Sequence, residues 1–365
     1  MSTLCLTLHA AYACRHTGAC CQTWTVAADT RVMNLVASGH LLPAASGTPM
    51  FVRAKTHESE SGWTIARETT GNCVFFDRDG SRLCAIHEAA GVDALPTACR
   101  HFPRVVLRDG RGTLISLSHF CPTAAALLFA PTALAVVDAD DRLRLEEPIE
   151  GLDGRDALPP LVRPGLLCDL EGYDAWERAC IGTFARGDLE WQESLDLIAG
   201  ATERVRRWEP GRCSLRSQVE DAFARARHEH YTDPHAHSRA LETVRAFTDS
   251  AVSENPQGDA FGPSSESLSA SDELFDRAMR NYLAARVFGN WISYQGRGLR
   301  SIVEWLRTCA AAVRHHAMER PAAGASARGR DFLESFRAAD LLLLHTIDSQ
   351  AFARRAMALE GPDPR

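Results

Sequence analysis

The chain reads as mainly α-helical, with a small, irregular α+β module rich in cysteine at its N-terminus. Three observations give this class. Eight of the twelve cysteines fall within the first 121 of the 365 residues. The same stretch carries short strand signals around Asp- and Gly-rich turns. From about residue 171 onward, apolar residues recur at helical spacing.

In the first 130 residues, Cys73-Val74-Phe75-Phe76 and Arg82-Leu83-Cys84-Ala85-Ile86 flank Asp77-Arg78-Asp79-Gly80 and read as a hairpin. With the turn centred between Arg78 and Asp79, Cys73 and Cys84 are expected to face each other, at the Cβ separation of about 4.5–5.5 Å that opposed residues have. Arg104–Leu107 and Thr113–Leu117 flank Asp109-Gly110-Arg111-Gly112 as a second hairpin. Cys121-Pro122 then opens a helix, with proline at its first position. The helix dipole there is expected to favour the Cys121 thiolate.

Residues 131–170, punctuated by Pro, Gly and Asp, read as a connector. Residues 171–365 read as an all-helical domain, with helices expected over 174–185, 189–207, 214–230, 237–249, 272–289, 298–319 and 330–359. Residues 250–271 lack core-forming residues and read as a flexible loop. No internal repeat is visible. The length suggests two domains, and 45% apolar residues suffice for real cores.

Composition narrows the function. A net charge of −7, with arginines scattered among acids, argues against a nucleic-acid partner. No apolar run reaches membrane-spanning length, and Met1–Leu8 has no basic region of the kind that opens a secretion signal. Cytoplasmic residence is expected. Thiols stay reduced there unless they hold metal or act in redox, and twelve cysteines are too sparse for a disulfide scaffold.

The candidate ligands are therefore Cys14, Cys20, Cys21, Cys73, Cys84, Cys99 and Cys121, soft donors suited to zinc, copper(I) or iron–sulfur clusters. No C-x-x-C occurs, which sets aside common zinc knuckles and thioredoxin-type redox chemistry. The C-x3-C-x2-C loop is absent too. What remains is a dispersed site. The adjacent Cys20-Cys21 pair suits a larger cluster, two metals, or one ligand beside a supporting thiol. Cys5, Cys168, Cys180, Cys213 and Cys309 read as ordinary. His87 and His101 follow ligand cysteines but are superfluous beside seven thiols. His228, His230, His235 and His237 read as a solvated corner, and His315-His316 as a favourable charge at a helix C-terminus.

Several segments, in order, carry a family resemblance. They are Tyr12-Ala13-Cys14-Arg15-His16-Thr17-Gly18-Ala19-Cys20-Cys21-Gln22-Thr23-Trp24, then Cys73, Leu83-Cys84-Ala85-Ile86-His87, Leu95-Pro96-Thr97-Ala98-Cys99-Arg100-His101-Phe102-Pro103-Arg104 and Ser116-Leu117-Ser118-His119-Phe120-Cys121-Pro122. This set resembles the flagellin lysine-N-methylase family, within the broader zinc- or iron-chelating cysteine-cluster family. It covers roughly the first 130 residues, with a looser likeness around Asp340-Leu341-Leu342-Leu343-Leu344-His345. The broader family often reads C-x-x-C-G-x-C-C, and Thr17 stands here for the second cysteine. Seven matching thiols fit a single four-thiolate iron–sulfur cluster of the 4Fe-4S type better than an eight-ligand, two-metal scheme.

The resemblance implies transfer of a methyl group from S-adenosylmethionine to the lysines of a protein substrate, flagellin-like or other. No Gly-rich loop of the usual nucleotide-binding kind is present, so the donor would bind in an unfamiliar way beside the metal. Arg100, Arg104 and Trp24 are the candidate cofactor-binding residues, with a structural salt bridge or plain core packing as the competing reading. Tyr12 and Trp63 are further aromatics of the module. Two other functions compete: a metal-chelating or electron-transfer accessory protein without catalysis, and a zinc-stabilised interaction module.

Overall fold

In the computed structural model, residues 2–15, 17–18, 21–22, 24–39, 41, 49–54, 61–77, 83–145, 149–254, 272–318, 324–347 and 349–357 are described. The architecture is mixed α+β and about half helical. Five short strands form the main sheet, in the order β6 (Val136–Asp138), β1 (Thr3–Leu6), β5 (Gly112–Leu117), β4 (Arg104–Asp109) and β7 (Leu152–Asp153). β4 and β5 are antiparallel from Arg104↔Leu117 to Asp109↔Gly112, the second hairpin as expected. β1 runs parallel to β5 and antiparallel to β6, β7 runs parallel to β4, and β2 (Phe51–Arg53) and β3 (Trp63–Ile65) form a separate antiparallel pair. The 131–170 stretch thus supplies both edge strands, as well as the small β8 (Leu161–Arg163) and β9 (Leu166–Leu167) pair. Strands of two or three residues are too short to show a period of two, so they read as connector.

Short helices precede the helical region: α1 (Thr7–Ala10), α2 (Thr30–Ala37), α3 (Ala85–Ala90), α4 (Thr97–His101) and α5 (Pro122–Leu127). Cys121 caps α5 and Pro122 opens it, as expected. The long helices follow: α6 (Leu170–Phe184), α7 (Trp191–Val205), α8 (Leu215–Ala226), α9 (Ala236–Glu254), α10 (Asp272–Val287), the short α11 (Ile292–Gln295), α12 (Leu299–Met318), α13 (Gly324–Asp340) and α14 (Ser349–Met357). α9 carries helix to Glu254, into the segment expected to be loop, while residues 255–271 lie outside the described residues.

The single helix expected over 330–359 is broken. α13 stops at Asp340, Leu341–Thr346 wind as a π-helix, and Ile347 is extended (φ −102°, ψ 136°). Asp340 explains the break. It is fully buried and engages His119, Tyr282 and Arg286, which fixes one end of the turn. An apolar period alone does not reveal such a polar anchor.

The largest core is shared. Leu6, Leu107 and Leu114 of the sheet belong to the same apolar cluster as Trp176, Phe184, Tyr282, Leu306 and Phe336 of the helices. A second cluster, Val26, Val32, Leu41, Ile65, Val74, Phe75 and Ile86, lies beneath the cysteine-rich segments, with Cys73, Cys84 and Cys99 packed against it. No helix among the described residues is long and apolar enough to cross a membrane.

Candidate metal centre

Three strips of backbone bring the cysteines together. The antiparallel bridge Gln22↔Asn72 carries one step outward to Cys21 opposite Cys73, and the Cys73 amide donates to the Cys21 carbonyl at 2.8 Å. Cys73 also bridges Arg67, while Cys84 bridges Phe76. This corrects the expected pairing: Cys73 faces Cys21 rather than Cys84. The reason is a tight turn at Cys73–Phe76, where the Phe76 amide returns to the Cys73 carbonyl at 2.9 Å and shifts the register by three residues. Residues 78–82, the expected hairpin turn, lie outside the described residues.

Gly18 holds the first strip in place. Its φ is +73°, a left-handed conformation that glycine adopts readily. An added Cβ would lie 2.6 Å from Phe76 Cε2. The bare glycine therefore lets the backbone at Gly18 seat on the ring of Phe76, the residue across from Cys84.

Cys121 is positioned by the helical region. Residues Leu117–Phe120 lead into it, and each is tied down. Arg286 donates to the Leu117 carbonyl, the Ser118 hydroxyl pairs with His345 Nε2 at 2.7 Å, the His119 amide donates to Asp340, and Arg337 Nε donates to the Phe120 carbonyl at 3.0 Å. Behind them His9 Nε2 meets His119 Nε2 at 3.3 Å, and Tyr282 donates to Asp340 at 2.8 Å. Burial pushes the Asp340 carboxyl up, but Arg286 and His119 overcome it and hold the group at about 2.

Six of the seven candidate cysteines, Cys14, Cys21, Cys73, Cys84, Cys99 and Cys121, line one cavity of about 440 Å³. Cys20 lies outside the described residues. Thr17, in the place of the absent cysteine, lines the same cavity, as do His87, Arg100 and Arg104. Among the described residues no three Cys, His, Asp or Glu side chains form a ready-made coordination set. The thiols share a wall rather than a point. An all-sulfur donor set is nevertheless the chemistry that zinc and iron–sulfur centres take, so the residues fit such a group. A tetrahedral zinc with bonds of about 2.3 Å fills a sphere of roughly 50 Å³. The cavity therefore has room for a cluster, or for a metal with a reactant beside it.

Electrostatics divide the cavity into two groups. Arg67 is largely buried, which lowers its guanidinium, while Cys73, Cys21 and Cys99 raise it. It also donates to the Gly71 carbonyl at 2.7 Å. A buried cation among three cysteines offsets the negative charge that thiolate ligands bring. At the other group the Tyr12 hydroxyl lies 3.8 Å from Cys121 Sγ, with Cys14 and Arg104 close enough to act on it. The expected thiolate character of Cys121 is not seen. Burial pushes its thiol up and outweighs the amides of Ala124 and Thr123 at the helix start. A bound metal would have to displace that proton.

The other site residues separate. Arg104 donates to the Leu143 carbonyl (3.0 Å) and the Arg142 carbonyl (2.6 Å), and Arg100 to Thr97 Oγ1 (3.4 Å). Trp24 does not line the cysteine cavity. It lines a second cavity of about 370 Å³, which shares Phe102 and Arg104 with the first, and it packs on Phe102 and His345 at 5.5 and 5.2 Å between ring centroids. His101 also lines the second cavity, its Nδ1 accepting from the Glu150 amide at 3.1 Å. Cys5, Cys168, Cys180 and Cys309 are buried outside the cavity. Burial raises Cys5 to about 11 and Cys168 to about 12, the condition of inert core thiols. Sequence reasoning missed Arg67, which nothing in the cysteine spacing marks, because only the bridge to Cys73 delivers it.

Residues 13–122 match the model of the CxxCxxCC family, described as "Putative zinc- or iron-chelating domain". The family name spells the first strip, Cys14-x-x-Thr17-x-x-Cys20-Cys21, with threonine at its second cysteine. No curated protein and no solved structure matches the chain.

Proposed function

We propose that the cysteine cavity holds a zinc or iron–sulfur centre, and that the chain uses it as a protein lysine N-methyltransferase with S-adenosylmethionine as donor. One observation carries the proposal: six cysteines from five separate segments line one cavity, and that cavity shares Phe102 and Arg104 with a second, aromatic one. The second cavity offers room for a reactant beside the metal side, which the methyl-transfer reading requires. The resemblance to flagellin lysine-N-methylases supplies the reaction.

When bound, such a centre supplies Lewis-acid or electron-transfer chemistry. The chain's own residues do the rest. Arg67 balances thiolate charge inside the protein. Tyr12 orients Cys121. Phe102 and Arg104 separate the metal side from the reactant side. The transfer itself needs a neutral amine in a dry setting. Its lone pair forms the new N–C bond, the C–S bond of the sulfonium breaks with its electrons on sulfur, and the amine proton passes to solvent.

The test is direct. The anaerobically purified protein is incubated with donor labelled in its methyl group and with a lysine-bearing protein, flagellin first. Label on lysine, lost in the Cys73→Ser variant, is the expected result. No transfer, together with a redox-active centre, would instead make the chain an electron-transfer accessory.

A further inference from the structure

The second cavity differs in chemistry from the first. Trp24, Phe102, Trp291 and Trp305 give it aromatic walls, Arg104 and Arg286 give it two cations, and Glu150 gives it one anion. Its volume, about 370 Å³, falls in the range of small-molecule sites. Arg286 is 5% exposed, and its Nε has no hydrogen-bond partner, although Nη1 reaches Asp340 and Nη2 the Leu117 carbonyl. A buried N–H left unmatched is costly, and Arg286, the residue that carries it, lines the cavity. On the same wall the π-helix places His345, and short π-helical insertions recur at functional sites.

The geometry points to the second cavity as the seat of a zwitterionic small molecule carrying a planar ring and a cationic centre. Its carboxylate meets Arg286, its ammonium meets Glu150, and its ring and cation lie against the aromatic walls, where cation–π attraction acts. S-adenosylmethionine belongs to that class, so the inference deepens the methyl-transfer reading and rests on it. It also accounts for the position of Phe102 and Arg104, which border both the donor's cavity and the metal's.

The experiment is equilibrium binding of S-adenosylmethionine to the full chain with its metal in place, followed by calorimetry and by tryptophan fluorescence. Val105 lines the second cavity and belongs to none of the three apolar cores, so Val105→Phe narrows the cavity without opening a core. Binding by the wild type that falls at least tenfold in Val105→Phe, with metal content unchanged, is the expected result. Glu150→Gln, a change that adds no bulk, is expected to weaken binding by about tenfold through loss of one charged partner. It carries the test should Val105→Phe fail to fold. Undiminished binding in the folded variants would overturn the cavity assignment and leave the methyl-transfer reading standing. No binding by the wild type would overturn both.

Discussion

Gly18→Ala gives the sharpest test of how the cysteine loop is held. The substitution forces an alanine to φ +73°, which costs about 1–2 kcal/mol for an L-residue. It also drives a methyl group to 2.6 Å from Phe76 Cε2. Overpacking of that kind costs about 1–3 kcal/mol. The sum is about 2–5 kcal/mol. If metal binding fixes Gly18 in this seat, the cost falls on the loaded state. At about 1.4 kcal/mol per tenfold, affinity drops between about 30-fold and a few thousand-fold. Competition against a chromogenic zinc chelator reads this directly. Gly187→Ala is the control, since Gly187 is exposed and a Cβ there meets nothing within 4 Å. Zinc affinity within twofold of wild type in Gly18→Ala would refute the claim that the Gly18–Phe76 contact presents the ligands.

Three other outcomes are expected. Thr17→Cys adds a thiol to the cavity wall at the position the family pattern gives to cysteine, and should tighten zinc at least tenfold or raise the metal count per chain. An unchanged titration would mean that residue 17 stands away from the metal. Asp340→Asn strips the buried partner from Arg286 and should cost about 3–5 kcal/mol in urea unfolding, whereas a loss under about 1 kcal/mol would show that the anchor is not structural. His345 supplies a pH signature: burial holds its imidazole at about 4, while an unfolded histidine protonates near 6.5. The unfolded state therefore binds more protons between these values, and stability falls as pH drops from about 6.5 to 4, by up to about 3 kcal/mol before discounting the partly wetted ring. His345→Gln should flatten that slope, and an identical slope would remove His345 as its source.

The helical part of the fold was legible because long amphipathic helices declare themselves: α7, α8, α10 and α12 end within four residues of the ranges read from apolar spacing, whereas the mixed α+β character of the whole was understated as mainly α. The hairpin of β4 and β5 was legible from Asp109-Gly110-Arg111-Gly112, whose turn chemistry fixes register. The first hairpin failed on the same kind of reasoning. Its register is set by the tight turn at Cys73–Phe76 and by the pairing of Cys73 with Cys21, 52 residues away in sequence. The ligand candidates were legible as a set, since thiols have few other reasons to crowd a short segment. Their arrangement was not. Arg67, the partition of Trp24 into a separate cavity, and the clamp of Asp340 on His119 all depend on long-range packing. The Cys121 thiol shows the limit most plainly: its place at a helix start was readable, but its burial, which decides its protonation, was not.

The most direct test of the account is elemental. Wild-type protein purified without oxygen is assayed for zinc, iron and acid-labile sulfide per chain, beside the Cys21→Ser and Cys73→Ser variants, whose backbones are hydrogen-bonded to each other. The account predicts near-stoichiometric zinc, or iron with matching sulfide and a visible absorption band, in the wild type, with loss of that metal in both variants. Wild-type protein that folds with no zinc or iron, or variants that keep the full complement, would contradict it.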